Sequence, residues 1–174
     1  FSIKSSTFVT SYMLDSLITS KTRLRLLIKF FLNIANKGYL NGLANEFGES
    51  TNSVRKELNN LSSAGYLEKH NENNKIVYKA NASHPLFKII HKIVKKHLGI
   101  EEILETVLKR IGDVKKIMIL GDYAEGIDSG DIEILIVGDN VNEDYLKEIT
   151  PKIEKKINRK VRFFVSNSIL KQKT

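Results

Sequence analysis

The chain has 174 residues, 41% hydrophobic and 28% charged, with no cysteine and a formal net charge of +8. That length gives one ordinary domain or two small ones, and the balance is globular rather than disordered or fibrous. The absence of thiols excludes disulfides and thiolate metal sites, and no apolar run approaches the roughly 18 residues that suggest a membrane span.

The charge is unevenly placed. Residues 13–98 carry 14 Lys and Arg against 6 Asp and Glu, whereas residues 99–174 carry 13 against 14. A basic first half beside a near-neutral second half points to a polyanion-binding portion and a partner portion. The opening FSIKSSTFVTSY has neither an initiator Met nor the apolar core and cleavage site of a signal peptide. Met13 is therefore the expected start, residues 1 to 12 an extension, and the expected location cytoplasmic.

SKTRLRLLIKFFLNIANKG reads as a helix with Ser20 as N-cap and Gly38 just beyond its end. Leu24, Leu27, Ile28, Phe31 and Leu32 fall at helical spacing on one face. LNGLANEFGES predicts a short second helix with Leu43, Ala44 and Phe47 inward, ended by Gly48 at a turn needing positive φ. STNSVRKELNNLSSAGYL predicts a third helix, capped by Ser50 or Thr51, with Val54, Leu58 and Leu61 as its buried stripe.

Opposite that stripe lie Thr51, Asn52, Arg55, Lys56 and Asn59, with Ser53 in the same first turn. Small polar groups at a helix start can meet base edges or phosphates, and the cations that follow can neutralise the flanking backbone. YLEKHNENNKIVYKA predicts a hairpin: a strand at Tyr66–His70, a polar turn at Asn71–Asn74, and a strand at Lys75–Ala80. Asn73, Asn74 and Lys75 are its candidate contacts with nucleic acid.

GLANEFGESTNSVRKELNNLSSAGYL, followed by that hairpin, resembles winged helix-turn-helix transcription regulators of the ArsR/MarR-like type. The resemblance implies binding of double-stranded DNA, as a homodimer on a two-fold-related operator. The expected boundaries are 13–82 for this portion, 83–99 for a connecting helix and 100–174 for the remainder.

In the connection, Pro85 is expected at a helix's first turn. Leu86, Ile90 and Ile93, with Phe87, Val94 and Leu98 on the next ridge, make a wide apolar face suited to subunit pairing or to packing on the second portion. Ile100, Ile103, Leu104, Val107 and Ile111 continue on a second helix ended by Gly112. His84, His91 and His97 lack the spacing of a metal site.

VKKIMILG, DIEILIVG and KVRFFVS predict three strands. NVNEDYLKEITPKIEKKINR predicts a helix that Pro151 breaks or kinks. The whole chain is thus expected to be α+β. Gly121 and Asp122, then Ala124, Glu125 and Gly126, then Gly130, Asp131, Ile132 and Glu133, resemble the signature of the minimal nucleotidyltransferase fold of the DNA polymerase β-like superfamily. That family pairs two carboxylates one residue apart, here Asp131 and Glu133, to hold Mg²⁺, with a third carboxylate on a later strand.

The sequence departs from the family in one direction. Asp122 stands where the phosphate-binding Ser would be, Glu125 replaces a basic residue, and Arg162 occupies the third strand where a carboxylate is expected. Gly121, Asp122, Asp131, Glu133 and Arg162 are read together as a degenerate nucleotide site, with no catalytic residue, metal or cofactor expected. The expected function is a sequence-specific DNA-binding regulator whose second portion is a sensor, for an effector the sequence does not name, or an interaction module. The alternatives are an active metal-dependent nucleotidyltransferase with a nucleic-acid-recruiting winged helix, and an antitoxin-like protein-interaction module.

Overall fold

The computed structural model describes residues 14–167, so the expected start at Met13, the extension before it and residues 168–174 lie outside the described residues. The order is α1 Lys21–Leu32, β1 Lys37–Tyr39, α2 Leu40–Phe47, α3 Thr51–Ser63, β2 Leu67–Glu72, β3 Lys75–Ala80, α4 Phe87–His97 and α5 Ile100–Val107. It continues with β4 Asp113–Leu120, α6 Gly121–Ala124, β5 Asp131–Asp139, α7 Glu143–Ile157 and β6 Lys160–Ser166. The chain is α+β, with two three-stranded sheets. No described helix is long and apolar enough to cross a membrane.

Ser20 starts α1, its Oγ accepting from the Arg23 amide at 3.2 Å. The helix stops at Leu32, earlier than its apolar pattern predicts, and Gly38 lies inside the short strand β1. The pattern runs on because α1 is covered on more than one side. Leu24, Ile28, Phe31 and Leu32 are buried as the stripe requires, but Leu26 and Phe30 are fully buried too. α3 packs on one flank and α4 on another, with Phe87 of α4 5.5 Å from Phe31 between ring centroids.

α2 ends at Gly48, whose φ of 62° is the left-handed cap expected there. Ser50 caps α3, and Val54, Leu58 and Leu61 are buried. The first sheet has the order β1-β3-β2, all antiparallel. Strand β2 runs on to Glu72, two residues past its predicted end, so the turn is only Asn73 and Asn74, with φ of 50° and 61°. Positive φ at both central residues is the type I′ geometry whose twist matches the flanking strands, and Asn tolerates it.

Pro85 lies in the turn ahead of α4, not in its first helical turn, and Leu86 precedes the helix. Gly99, at φ 77°, joins α4 to α5, and an added Cβ there would stand 2.5 Å from Ile157 of α7. α5 ends at Val107; Ile111 is buried in the turn that follows rather than on the helix.

The second sheet has the order β4-β5-β6, with β4 antiparallel and β6 parallel to β5. α7 makes the crossover between the parallel strands and buries Leu146, Ile149, Ile153 and Ile157. Pro151 does not break it: the helix is continuous through Pro151, because four buried apolar side chains hold it to the sheet and Asn142 caps its start. Residues 121–124, expected as loop, form the single helical turn α6.

Candidate nucleic-acid interface and the acidic pair of the second sheet

The solvent face of α3 is built at its first turns. The Ser50 Oγ accepts from the Ser53 amide at 3.2 Å and donates to the Ser53 Oγ at 3.0 Å. Thr51, Asn52, Ser53, Arg55, Lys56 and Asn59 are all exposed. Asn52, Arg55, Lys56 and Asn59 share one face by helical spacing, and Arg55 Nη1 donates to Asn52 Oδ1 at 3.2 Å. With Val54 and Leu58 fully buried behind, this face cannot rotate away from solvent.

A charge network, which the sequence reading missed, sets the angle of α3 against α1. Glu57, 6% exposed, takes the Arg23 Nε at 2.8 Å and the Ser20 hydroxyl at 2.9 Å. Burial pushes its carboxyl up, but the Arg23 and Ser20 bonds outweigh this and hold it below its ordinary value. Arg25 Nη1 donates to Glu49 Oε1 at 2.6 Å and to the Phe47 carbonyl at 2.8 Å, and the Thr22 hydroxyl donates to Glu49. Thr22 and Arg25, one turn apart on α1, thus tie down the α2–α3 turn, while Ser20 and Arg23 hold α3 itself. Only the i, i+2 spacing of Arg23 and Arg25 before the turn could have signalled it.

The hairpin stands beside α3. Tyr78 of β3 lies in the electrostatic field of Arg55 although burial, the larger effect, raises its hydroxyl pKa. Asn73 and Asn74 are exposed at the tip. Lys75 is exposed as well, with its Nζ over the Tyr39 ring, 4.9 Å from the centroid. Lys37 pairs with Glu72 at 2.9 Å and Lys79 with Glu68 at 3.3 Å, so part of the hairpin's positive charge is answered internally.

In the second sheet, Asp131 and Glu133 sit two residues apart on β5 and project to the same face. Strand β6 places Arg162 opposite Glu133, with Nη2 3.0 Å from Glu133 Oε1 and 4.0 Å from Asp131 Oδ2. Gly121 closes on the same carboxylate, since a Cβ there would stand 2.6 Å from Glu133 Oε2. The guanidinium holds the place that the nucleotidyltransferase resemblance gives to a third carboxylate. Arg162 competes with any cation for these oxygens, and two carboxylates alone would leave most of a Mg²⁺ shell to water or phosphate. Among the described residues no three His, Asp or Glu side chains converge as a metal-holding group. Asp122 is exposed in the first turn of α6.

The loop after α6 has a structural use that its motif concealed. Asn33 Nδ2 donates to the Ala124 carbonyl at 2.7 Å, joining α1's end to the second half. Gly126, at φ 76°, lies so close to α1 that an added Cβ would be 2.4 Å from the Lys29 carbonyl oxygen. Two residues on, Asp128 receives Arg159 Nε at 2.9 Å and Nη2 at 2.7 Å, along with the hydroxyl of fully buried Tyr123. Burial raises the Asp128 pKa, but Arg159 and Tyr123 outweigh it and hold the carboxyl low. A cleft of about 540 Å³ runs between the halves here, lined by Lys21, Arg25, His97, Ile127, Asp128 and Arg159 among others.

The three histidines are held in separate roles. His84 Nδ1 accepts from the Leu86 amide at 3.1 Å, His91 Nδ1 donates to the Phe31 carbonyl at 2.5 Å, and His97 is buried at the end of α4.

No family model matches this chain, and no curated protein matches it. Among solved structures, it is similar to the crystal structure of Sso10a-2, a DNA-binding protein from Sulfolobus solfataricus. The identity is 17% and the TM-score 0.35, over 50% of this chain and 88% of that one.

Proposed function

We propose that this protein is a sequence-specific double-stranded DNA-binding transcriptional regulator, with a winged helix in residues 13–82 joined through 83–99 to a nucleotidyltransferase-like portion in 100–174. The observation that carries this is the exposed face of α3. Asn52, Arg55, Lys56 and Asn59 form a continuous polar and cationic strip along a capped helix that is braced from behind by Glu57 and flanked by a hairpin. Such a helix N-terminus fits the major groove, where Asn and hydroxyl groups read base edges and Arg55 and Lys56 meet the flanking phosphates. Asn73, Asn74 and Lys75 at the hairpin tip would lie along the adjacent backbone, and two copies would occupy a two-fold-related site.

The second portion acts as a brace or sensor rather than as a transferase in this proposal. Arg162 beside Glu133 and Asp131 supports that, because its charge answers theirs where a metal would otherwise do so. Selection of bound sequences from a random duplex pool, read by sequencing, tests the proposal. An enriched motif whose binding weakens in Arg55→Ala, with the log K against log salt slope reduced by about 1 for a lost phosphate contact, supports it. Absence of any enriched sequence overturns it. Label transfer from nucleoside triphosphates with Mg²⁺ or Mn²⁺, lost in Asp131→Ala, would establish the enzyme instead.

A further inference from the structure

Among the described residues, α4 is covered on one side only. Val94 and Leu98 are buried, Phe87 and Ile90 pack behind them, and His91 bonds to the α1 backbone. The outer side carries Leu86, Ile89 and Ile93, which are 42%, 55% and 43% exposed and spaced i, i+3, i+7. Helical spacing puts these three on one ridge, just beyond the buried face. Along the other edge of the ridge run exposed Lys88, Lys92 and Lys96. Lys96 reaches Glu102 at 3.7 Å, whereas among the described residues no acid pairs with Lys88 or Lys92.

We propose that this face of α4 docks an acidic amphipathic helix of a partner protein, whose apolar residues cover Leu86, Ile89 and Ile93 while its carboxylates meet Lys88 and Lys92. The proposal goes beyond DNA binding and uses a different surface from α3. Charge complementarity selects the occupant. A second copy of α4 is the wrong partner, because the helix FKIIHKIVKKH has no Asp or Glu at all. Antiparallel pairing about a two-fold would put lysine edge against lysine edge, and parallel pairing would still supply no acid.

A nucleic acid would satisfy the lysines but has nothing for the isoleucines. A bilayer surface needs a broad apolar face sunk about 5–10 Å into the headgroup boundary, and here that width is a single row beside a helix already docked on α1. A helix in a shallow groove, read at i, i+3 and i+7, matches the dimensions of the ridge.

The test uses the full chain and a fluorescein-labelled designed helix of about four turns, with a leucine ridge edged by glutamates. A second peptide carries lysines in place of the glutamates. Anisotropy titration should show the acidic peptide bound and the basic one not. Two double variants, I89S/I93S and K88E/K92E, change exposed residues only, and circular dichroism and Tm should show both folded. Each should weaken the acidic peptide at least about tenfold, and K88E/K92E should now take the basic peptide. Failure of the chain to bind the acidic peptide overturns the proposal. So does preference for anionic phosphatidylserine vesicles over the peptide. A concentration-dependent dimer in sedimentation that I89S/I93S abolishes would overturn it in favour of a second copy.

Discussion

Gly126→Ala tests whether the two halves are held by close backbone packing. Gly126 has φ 76°, and a Cβ there would lie 2.4 Å from the Lys29 carbonyl oxygen, 2.6 Å from Lys29 Cα and 2.7 Å from Asn36 Nδ2. Two costs combine. Placing an L side chain in the left-handed region costs roughly 1–2 kcal/mol. Forcing a methyl against backbone adds about 1–3 kcal/mol, because neither Lys29, inside α1, nor Asn36, which donates to the Lys29 carbonyl, can yield freely. Gly130 separates the two contributions: its φ is 88°, yet nothing lies within 4 Å of a Cβ at that position, so Gly130→Ala carries only the conformational cost. Thermal unfolding followed by circular dichroism should show Gly126→Ala losing about 1–3 kcal/mol more than Gly130→Ala. For a chain of this size that is a further drop in Tm of about 2–12 °C. Equal losses in the two variants would refute the argument and mean that the loop does not clamp α1.

Other perturbations follow from the same packing. Glu57→Gln should destabilise by about 1–2 kcal/mol at pH 7, as it weakens charge-assisted bonds to Arg23 and Ser20. Because the Glu57 pKa is lowered on folding, that stabilisation is present above the unfolded value and disappears as pH falls through the folded one. Urea unfolding of the two proteins should therefore converge on acidification, and a difference that stays constant into strong acid would contradict the assignment. Pro151→Ala restores an amide in the middle of α7, and should raise Tm by an amount corresponding to about 1–3 kcal/mol, measured by calorimetry. Arg159→Lys should destabilise by about 1–3 kcal/mol, since an ammonium cannot reproduce the two parallel bonds to Asp128; retention of wild-type Tm would show that the pair is dispensable.

Local rules carried the elements of α3 well. Its cap, its buried stripe and its exposed strip follow from side-chain type and the 3.6-residue period, and Ser50, Val54, Leu58 and Leu61 are where those rules put them. The same rules misplaced the end of α1, because its last turn, Lys29 to Leu32, is buried all round and has no exposed side to mark where it stops. They also overstated Pro151, whose local cost the buried face of α7 outweighs. For the candidate sites, the approach of Arg162 to Glu133 was legible from residue types on two predicted strands, and the parallel register of β5 and β6 brings them to 3.0 Å.

By itself, the sequence determined the α+β character, the basic first half, the strip on α3 and the paired acids with a cation where an acid was expected. Each of these depends on composition, on spacings within one element, or on residue types at matching places in two predicted strands. Only the tertiary structure decided what lies between elements. It put Glu57 under Arg23, bent the Gly121–Gly130 segment so that Gly126 meets α1, and joined Asp128 to Arg159 across 31 positions of sequence. It also separated the apolar face of α4, burying Val94 and Leu98 while leaving Leu86, Ile89 and Ile93 uncovered among the described residues. The physical reason is common to all four. Burial and ion pairing depend on which surfaces meet, and surfaces distant in the chain meet only when the packing of both sheets and the helices between them is settled.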